Sequence, residues 1–372
     1  MSVSEQMQTK SIGQKDDTNL PRPNYPKSTL IKDAAFSYER TYYCPGDMWP
    51  CTWCADDSIC TLCGDLYLDE YGYLSNCSSY KVLGTPETEV TMELLSYAPV
   101  DFEYVKTLPD VHETFYVKPS GLISVNGTLY ISVSSMNYGE KAHGYRQRYP
   151  NCWIAVSNDH GATWDNNVTP YNFFSGRLSG LTFIQYGKDN AGARDEYVYA
   201  VFPCSYSGHA YWECQDCLLL GRVPADSILN RKAWEFRTQD GSWDCDDTKA
   251  APVFEYPGMT GQDFIQYNEG LGRYILGNYG FMTIKGEPRP YHTGEWTSGE
   301  TKYPSQLTLF EAPNPWGPWS LFYLDDNWGT FGGYQPSFPT KFISKDGLTM
   351  YMASSGSYND YHFTLQKLYL FK

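Results

Sequence analysis

Apolar and polar positions along the chain fall into one recurring unit: a short strand-like run, a tight turn, and a second run. The first copy reads 50–55, a turn at Asp56-Asp57-Ser58, then 59–63. The second is 121–125, turn Asn126-Gly127, 128–133; the third is 180–186, a longer turn, 197–202. The fourth is 263–267, turn 268–272, 273–277, and the fifth is 340–344, turn Lys345-Asp346-Gly347, 348–352. Val, Ile, Tyr and Phe fill the runs, while Asn-Gly and Asp-Gly supply the positive φ that hairpin turns need. Weaker strands follow at 152–157 and 171–174, at 217–223 and 233–237, and at 306–311 and 318–324. Four strands in each of five units predict an all-β fold, a five-bladed β-propeller, with six or seven blades as the alternative count. The fifth unit shows three strands, ending near Leu370, so closure requires a strand from near Phe36–Tyr43. The polar stretch 1–35 is expected to be a flexible arm and 36–372 a single propeller domain.

The octapeptide Ser157-Asn-Asp159-His-Gly161-Ala-Thr163-Trp164 supports this architecture. It resembles the Asp-box of sialidases and related propellers. In that motif the carboxylate accepts backbone N–H groups two residues on, the glycine takes positive φ, and the tryptophan pins the turn to the sheet. Ser157, Asp159, Gly161, Thr163 and Trp164 are thus expected to form a structural hairpin clamp.

Composition narrows the classes of partner. The 372 residues include 33 Tyr, 32 Gly and 23 Pro, as many short strands joined by turns require. A net charge of −15 lacks the positive footprint that nucleic acid demands. No run approaches the roughly 20 apolar residues of a membrane span. No apolar signal region is visible at the start, leaving an intracellular protein or a secreted one whose signal is not in this sequence. The 11 cysteines include the pairs Cys51/Cys54, Cys60/Cys63 and Cys214/Cys217. Such spacing occurs in zinc knuckles, but residues three apart on a strand face opposite ways, so buried thiols are the simpler expectation.

The propeller geometry sorts the chemistry. Residues that begin the first strand or end the second strand of each blade converge on the channel mouth. They are Asp47 and Asp65, Lys118 and Ser135, Arg177 and Tyr206, Asp263 and Tyr279, Gln335 and Ser355. The long loops over that face add His143, Arg146, Trp212 and Glu213. Carboxylates opposed across a pocket, with aromatic and basic neighbours, suit glycosidic chemistry: one protonates the leaving oxygen and the other activates water or attacks carbon. Asp47 is the expected base or nucleophile; Asp65, Asp263 and Glu213 are the acid candidates. Lys118, His143, Arg146, Arg177, Tyr206, Trp212, Tyr279 and Gln335 are expected to bind substrate. Asp65 reads equally as a strand-end residue and Asp263 as a turn carboxylate. Asp56 and Asp57 should fall on the opposite face.

Several stretches together resemble the DUF4185-like, sialidase-like propellers: Gly46 to Asp57 with Gly64-Asp65, Gly187 to Tyr199, Gly221 to Asp226, Tyr267 to Tyr274, and Glu311 to Trp319. The resemblance spans about Tyr43 to the C-terminus. It implies a five-bladed propeller related to glycoside hydrolases, some acting on arabinan-type polysaccharides. The chain departs from the pattern at Leu66, where glycine is usual, and at Cys54, Cys60 and Cys63. The arginine triad of true sialidases has no match here. The resulting expectation is a glycoside hydrolase acting on a polysaccharide or oligosaccharide, without organic cofactor. A structural Ca²⁺ in the channel is compatible with that expectation, though no ligand set can be named. A non-catalytic glycan-binding propeller and a polysaccharide lyase are the alternatives.

Overall fold

The computed structural model describes residues 7–8, 20–68, 72–75, 77–96, 115–137, 147–281, 305–328, 333–355 and 362–372. Its antiparallel sheets form five blades around a central channel, each with its first strand innermost. Blade one orders Cys51–Trp53, Ile59–Cys63, Ser78–Gly84 and Val90–Ser96. Blade two orders Phe115–Val125, Thr128–Asn137, Asn151–Ser157 and Phe174–Ser175. Blade three runs Thr182–Phe183, Tyr197–Cys204, Gln215–Pro224, with an outer layer divided between Glu235–Arg237 and Pro252–Thr260. Blade four is Phe264–Asn268, Arg273–Phe281, Ser305–Ala312 and Ser320–Trp328. Blade five takes Thr349–Ser354 and His362–Phe371 from the end of the chain and Asp33–Pro45 from its beginning. The closing strand expected near Phe36 is therefore present, with Asp33 opposite Phe371.

The inner strand of blade five lies elsewhere than expected. Residues 340–344, expected as the inner strand of blade five, contain a 3-10 turn at Thr340–Phe342. The inner segment lies earlier, where Ser337 bridges Ala353. Pro336 and Pro339 lack an N–H, so this segment cannot form a continuous ladder.

Blades stack face to face, which buries both sides of their middle strands. Tyr197–Cys204 is buried at every position but the first, and Ser305–Ala312 throughout. Strict alternation is lost for that reason, and these strands read as continuous apolar runs. The core is consequently divided among the blade interfaces. One cluster joins Leu62, Val133, Trp153 and Phe202; another joins Tyr186, Phe254, Phe310 and Trp319. Each fully buried large side chain contributes about 1.5–3 kcal/mol.

Lateral hydrogen bonds link the inner segments around the channel. Ser124 N donates to Thr52 Oγ1 at 3.0 Å, joining blades two and one. Gln185 reaches both ways: its Nε2 to Leu122 O at 2.7 Å, and its backbone N to Ile265 O at 3.1 Å. Phe338 N donates to Gln266 Oε1, and Lys341 Nζ to Asp57 O, completing the circle. Asp57 also pairs with Lys188 at 3.3 Å. Asp56 and Asp57 thus serve on the turn face, away from the mouth.

The octapeptide caps the hairpin after Asn151–Ser157. Thr163 N donates to Asp159 Oδ1 at 2.9 Å and Thr163 Oγ1 to Asp159 Oδ2 at 2.6 Å. The carboxylate thus accepts from a residue four positions on, not two as expected. Gly161 has a φ of 93° and its carbonyl accepts from Trp164 Nε1 and from Ser79 Oγ of blade one.

From Leu20 onward the stretch expected to be an arm is packed on the propeller. Tyr25 stacks on Phe254 at 5.1 Å, Arg22 grips Asp326 through two nitrogens, and Ser28 Oγ donates to buried Glu311. Pro21, Pro23 and Pro26 keep this segment extended, and Tyr25 supplies its apolar anchor. No helix among the described residues is long and apolar enough to cross a membrane.

Candidate functional site

At the mouth of the channel, Asp47 leads into the inner strand of blade one. Its carboxylate Oδ2 accepts the Tyr334 hydroxyl of blade five at 3.0 Å. A closed circuit surrounds this contact. Met48 N donates to Ser355 Oγ at 2.9 Å, Ser355 Oγ donates to Gln335 Oε1 at 3.3 Å, and Ser355 N donates to Tyr334 O at 3.1 Å. Met48 and Gln335 both hold left-handed backbones, with φ of 56° and 55°. Two such non-glycine residues flanking one carboxylate store strain that the surrounding bonds hold in place, an arrangement concentrated at functional sites.

The end of the second strand in blade one completes this side. Gly64 N donates to Asp47 O at 2.6 Å. A Cβ on Gly64 would stand 2.9 Å from Asp47 Oδ1 and 2.7 Å from Met48 Cβ, so only glycine fits beside that carboxylate. Next in sequence, Asp65 pairs with Lys118, whose ammonium also donates to Gly64 O at 2.7 Å. Lys118 is 1% exposed, so its charge is compensated inside the protein. Burial pushes the Cys63 thiol well up; the negative charges of Asp47 and Asp65 add to the push, and Lys118 opposes it. Leu66 is buried beside Trp49, Cys63 and Phe363, and its packing supports the segment after Asp65.

Blades three and four contribute an aromatic wall. The Trp212 ring meets Tyr334 edge to face at 5.4 Å and Phe281 at 5.6 Å. Tyr279 donates its hydroxyl to Trp212 O at 2.9 Å and accepts from Gln262 N. Tyr149 donates to Gln262 Oε1 at 3.0 Å. Burial pushes the Tyr279 phenol well up, with Asp263, Tyr149 and Glu213 close enough to add to the effect. Glu213 follows Trp212 and is buried. Trp212 Nε1 and Gln335 Nε2 are buried donors without a hydrogen-bond partner among the described residues.

Asp263 lies deeper and is fully buried. Burial pushes its carboxyl well above the usual carboxylate range. The backbone N–H groups of Tyr279 and Gly261 soften that push, yet neither closes a hydrogen bond to a carboxyl oxygen. Burial beneath the mouth thus disfavours the charged form of the Asp263 carboxyl.

Asp47, Asp65, Lys118, Trp212, Glu213, Asp263, Tyr279 and Gln335 thus gather at or just under one face. Arg177 and Tyr206 do not join them. A 3-10 turn at Gly176–Leu178 directs Arg177 to Asp247 O on the outer part of blade three. Tyr206 is 60% exposed and donates to Glu255 Oε1 on the outer strand at 2.6 Å. Burial and that carboxylate push its phenol up, away from the range a general base needs. His143 and Arg146 lie outside the described residues. Among the described residues, no three His, Cys, Asp or Glu side chains converge as a metal site. Sequence reasoning missed Tyr334, Tyr149 and Gln262; the first directly precedes Gln335, and its position before the inner segment of blade five was the available signal.

Residues 48–364 match the model of a family described as a domain of unknown function, DUF4185. No curated protein sequence matches the chain significantly. Among solved structures, a presumed hydrolase from Bacteroides ovatus ATCC 8483 aligns with a TM-score of 0.51 at 12% identity, covering 97% of this chain and 96% of that one. A GH43_1 enzyme from Xanthomonas citri aligns at 0.47 and 13% identity over 89% and 88%. A glycosyl hydrolase from Bacteroides ovatus aligns at 0.47 and 12% over 96% of both chains. At 12% identity the first of these likenesses is one of fold.

Proposed function

This chain belongs to the DUF4185 family, and we propose that it is a carbohydrate-active propeller that hydrolyses glycosidic bonds at the channel mouth. The observation that carries this reading is the Tyr334–Asp47 hydrogen bond with Trp212 packed against Tyr334. It brings a carboxylate of blade one and the loop bearing Glu213 to the same aromatic wall. Asp47 is the base or nucleophile, because its carboxylate stands at the mouth with one oxygen oriented by the Tyr334 hydroxyl. Glu213 is the acid that protonates the leaving oxygen. Asp65 is committed to Lys118 and shapes the mouth, while Asp263 is a buried carboxyl below it. Trp212 Nε1 and Gln335 Nε2 offer neutral donors suited to sugar hydroxyls.

The test is a panel of polysaccharides, arabinans included, read for new reducing ends and for ultraviolet absorbance together. Reducing ends without absorbance, abolished in Asp47→Asn and Glu213→Gln, support hydrolysis. Absorbance from an unsaturated product replaces the proposal with a lyase. Silence on every substrate, with retention on one immobilised glycan, replaces it with a binding module.

A further inference from the structure

Two thiols sit at the base of the loop that carries Trp212 and Glu213. Cys204 ends one strand of blade three, Cys217 lies in the next, and the two are direct partners in the antiparallel ladder. Their Sγ atoms are 3.4 Å apart, and both side chains are buried. Opposed residues of an antiparallel pair have Cα atoms about 4.5–5.5 Å apart, within the roughly 4.4–6.8 Å that a disulfide spans. Closing the sulfurs to a bond of about 2.05 Å is a matter of χ1 rotation, with both strands left in place.

The next rung toward the mouth is already tied. Ser205 Oγ and Tyr206 N both donate to Asp216 Oδ2 at 2.8 Å, and Gly258 N donates to Asp216 Oδ1 at 3.0 Å. Beyond it, Ala210–Tyr211 pairs with Arg148–Tyr149, and the chain returns through Trp212, Glu213 and Cys214, the last with a φ of 53°. At its base the loop 205–216 is tied by this carboxylate, with the cysteine pair directly beneath. Cys54 and Cys60 are also neighbours, but Cys60 faces Thr52 across its ladder, so they lack this opposition.

We infer that Cys204 and Cys217 form a disulfide when the chain folds in the presence of a low-molecular-weight disulfide, and that this bond staples the loop bearing Glu213. One thiolate attacks a sulfur of R–S–S–R and releases R–S⁻; the second attacks the mixed disulfide at the protein sulfur and releases another. Two protein thiols are oxidised, one R–S–S–R is reduced, and the two thiol protons end on two RSH. In the folded chain the adjacent Cys204 and burial push the Cys217 thiol far up, so exchange is fast while the strands are open and slow once they close. The bond itself is independent of the proposed function; only its bearing on Glu213 rests on that reading.

The full chain is produced once in a reducing and once in an oxidising compartment, alkylated, and mapped without reduction. Before alkylation the oxidised sample should be two hydrogens lighter, and its digest should yield a peptide linking Cys204 to Cys217. Amide exchange across 205–216 should slow, and the thermal midpoint should rise by a few degrees relative to the reduced sample. Cys204→Ala and Cys217→Ala should each abolish all of these differences, whereas Cys245→Ser, at an exposed thiol, should retain them. Alkylation of both Cys204 and Cys217 in the oxidised sample, or a bond joining any other pair, overturns the inference. None of these measurements uses a glycan, so a failed hydrolase assay leaves their outcome unaffected.

Discussion

The Tyr334 hydroxyl donates to Asp47 Oδ2 across 287 positions of sequence, joining the last blade to the first at the channel mouth. The bond fixes one oxygen of the carboxylate, while the Ser355 circuit fixes the backbone on either side.

Tyr334→Phe removes the donor and leaves the ring packed on Trp212. On a substrate found by the panel, kcat should fall about tenfold to a hundredfold with KM little changed, because orientation of the reacting carboxylate is lost while the binding wall stays. An unchanged kcat would leave Asp47 with no need of this partner.

Asp263 gives a pH dependence whose sign follows from its raised carboxyl. The unfolded chain releases this proton near pH 3.9, and the folded one holds it to much higher pH. Its stabilising contribution is complete below about pH 3.9 and is lost as pH rises toward the folded value, by at most about 1.4 kcal/mol per pH unit. Asp263→Asn should therefore match the natural chain near pH 4 and exceed it in denaturant midpoint at pH 8. Equal gaps at both pH values would show that the carboxyl is not held neutral.

Asp159→Ala removes two acceptor contacts to Thr163 on the turn face. Stability should drop by about 1–2 kcal/mol in urea unfolding, with kcat and KM unchanged. A loss of kcat would mean that the turn bears on the mouth.

Tyr25→Ala should cost about 3–4 kcal/mol, since the ring fills a site between Phe254 and Phe310. Thermal melts would read this directly, and a change under 1 kcal/mol would mean the segment rests on the propeller without supporting it.

Much of the fold was legible because hairpins are local. Asn126-Gly127 and Asp346-Gly347 announce turns, and the apolar runs beside them have no other use. The inner segment of blade five was not legible, since prolines interrupt it and a ladder cannot be inferred where N–H groups are missing. Extrapolating strand ends names Asp47, Lys118 and Gln335, and the structure brings them to one face. That method failed for Arg177, where a single 3-10 turn reverses the side chain. It also passed over Tyr334, one tyrosine among 33, whose partner lies at the other end of the chain.

The pairing of Asp33–Pro45 with His362–Phe371 governs how the molecule can be made. A nascent chain reaches the ribosome exit with its first blade strand already synthesised and its partner still untranslated. Until residue 371 emerges, Asp33–Pro45 and Thr349–Ser354 each present a bare edge, a template for pairing with another chain. Four blades can assemble during synthesis while the ring stays open, and any truncation before His362 should release an aggregating product in place of a smaller propeller.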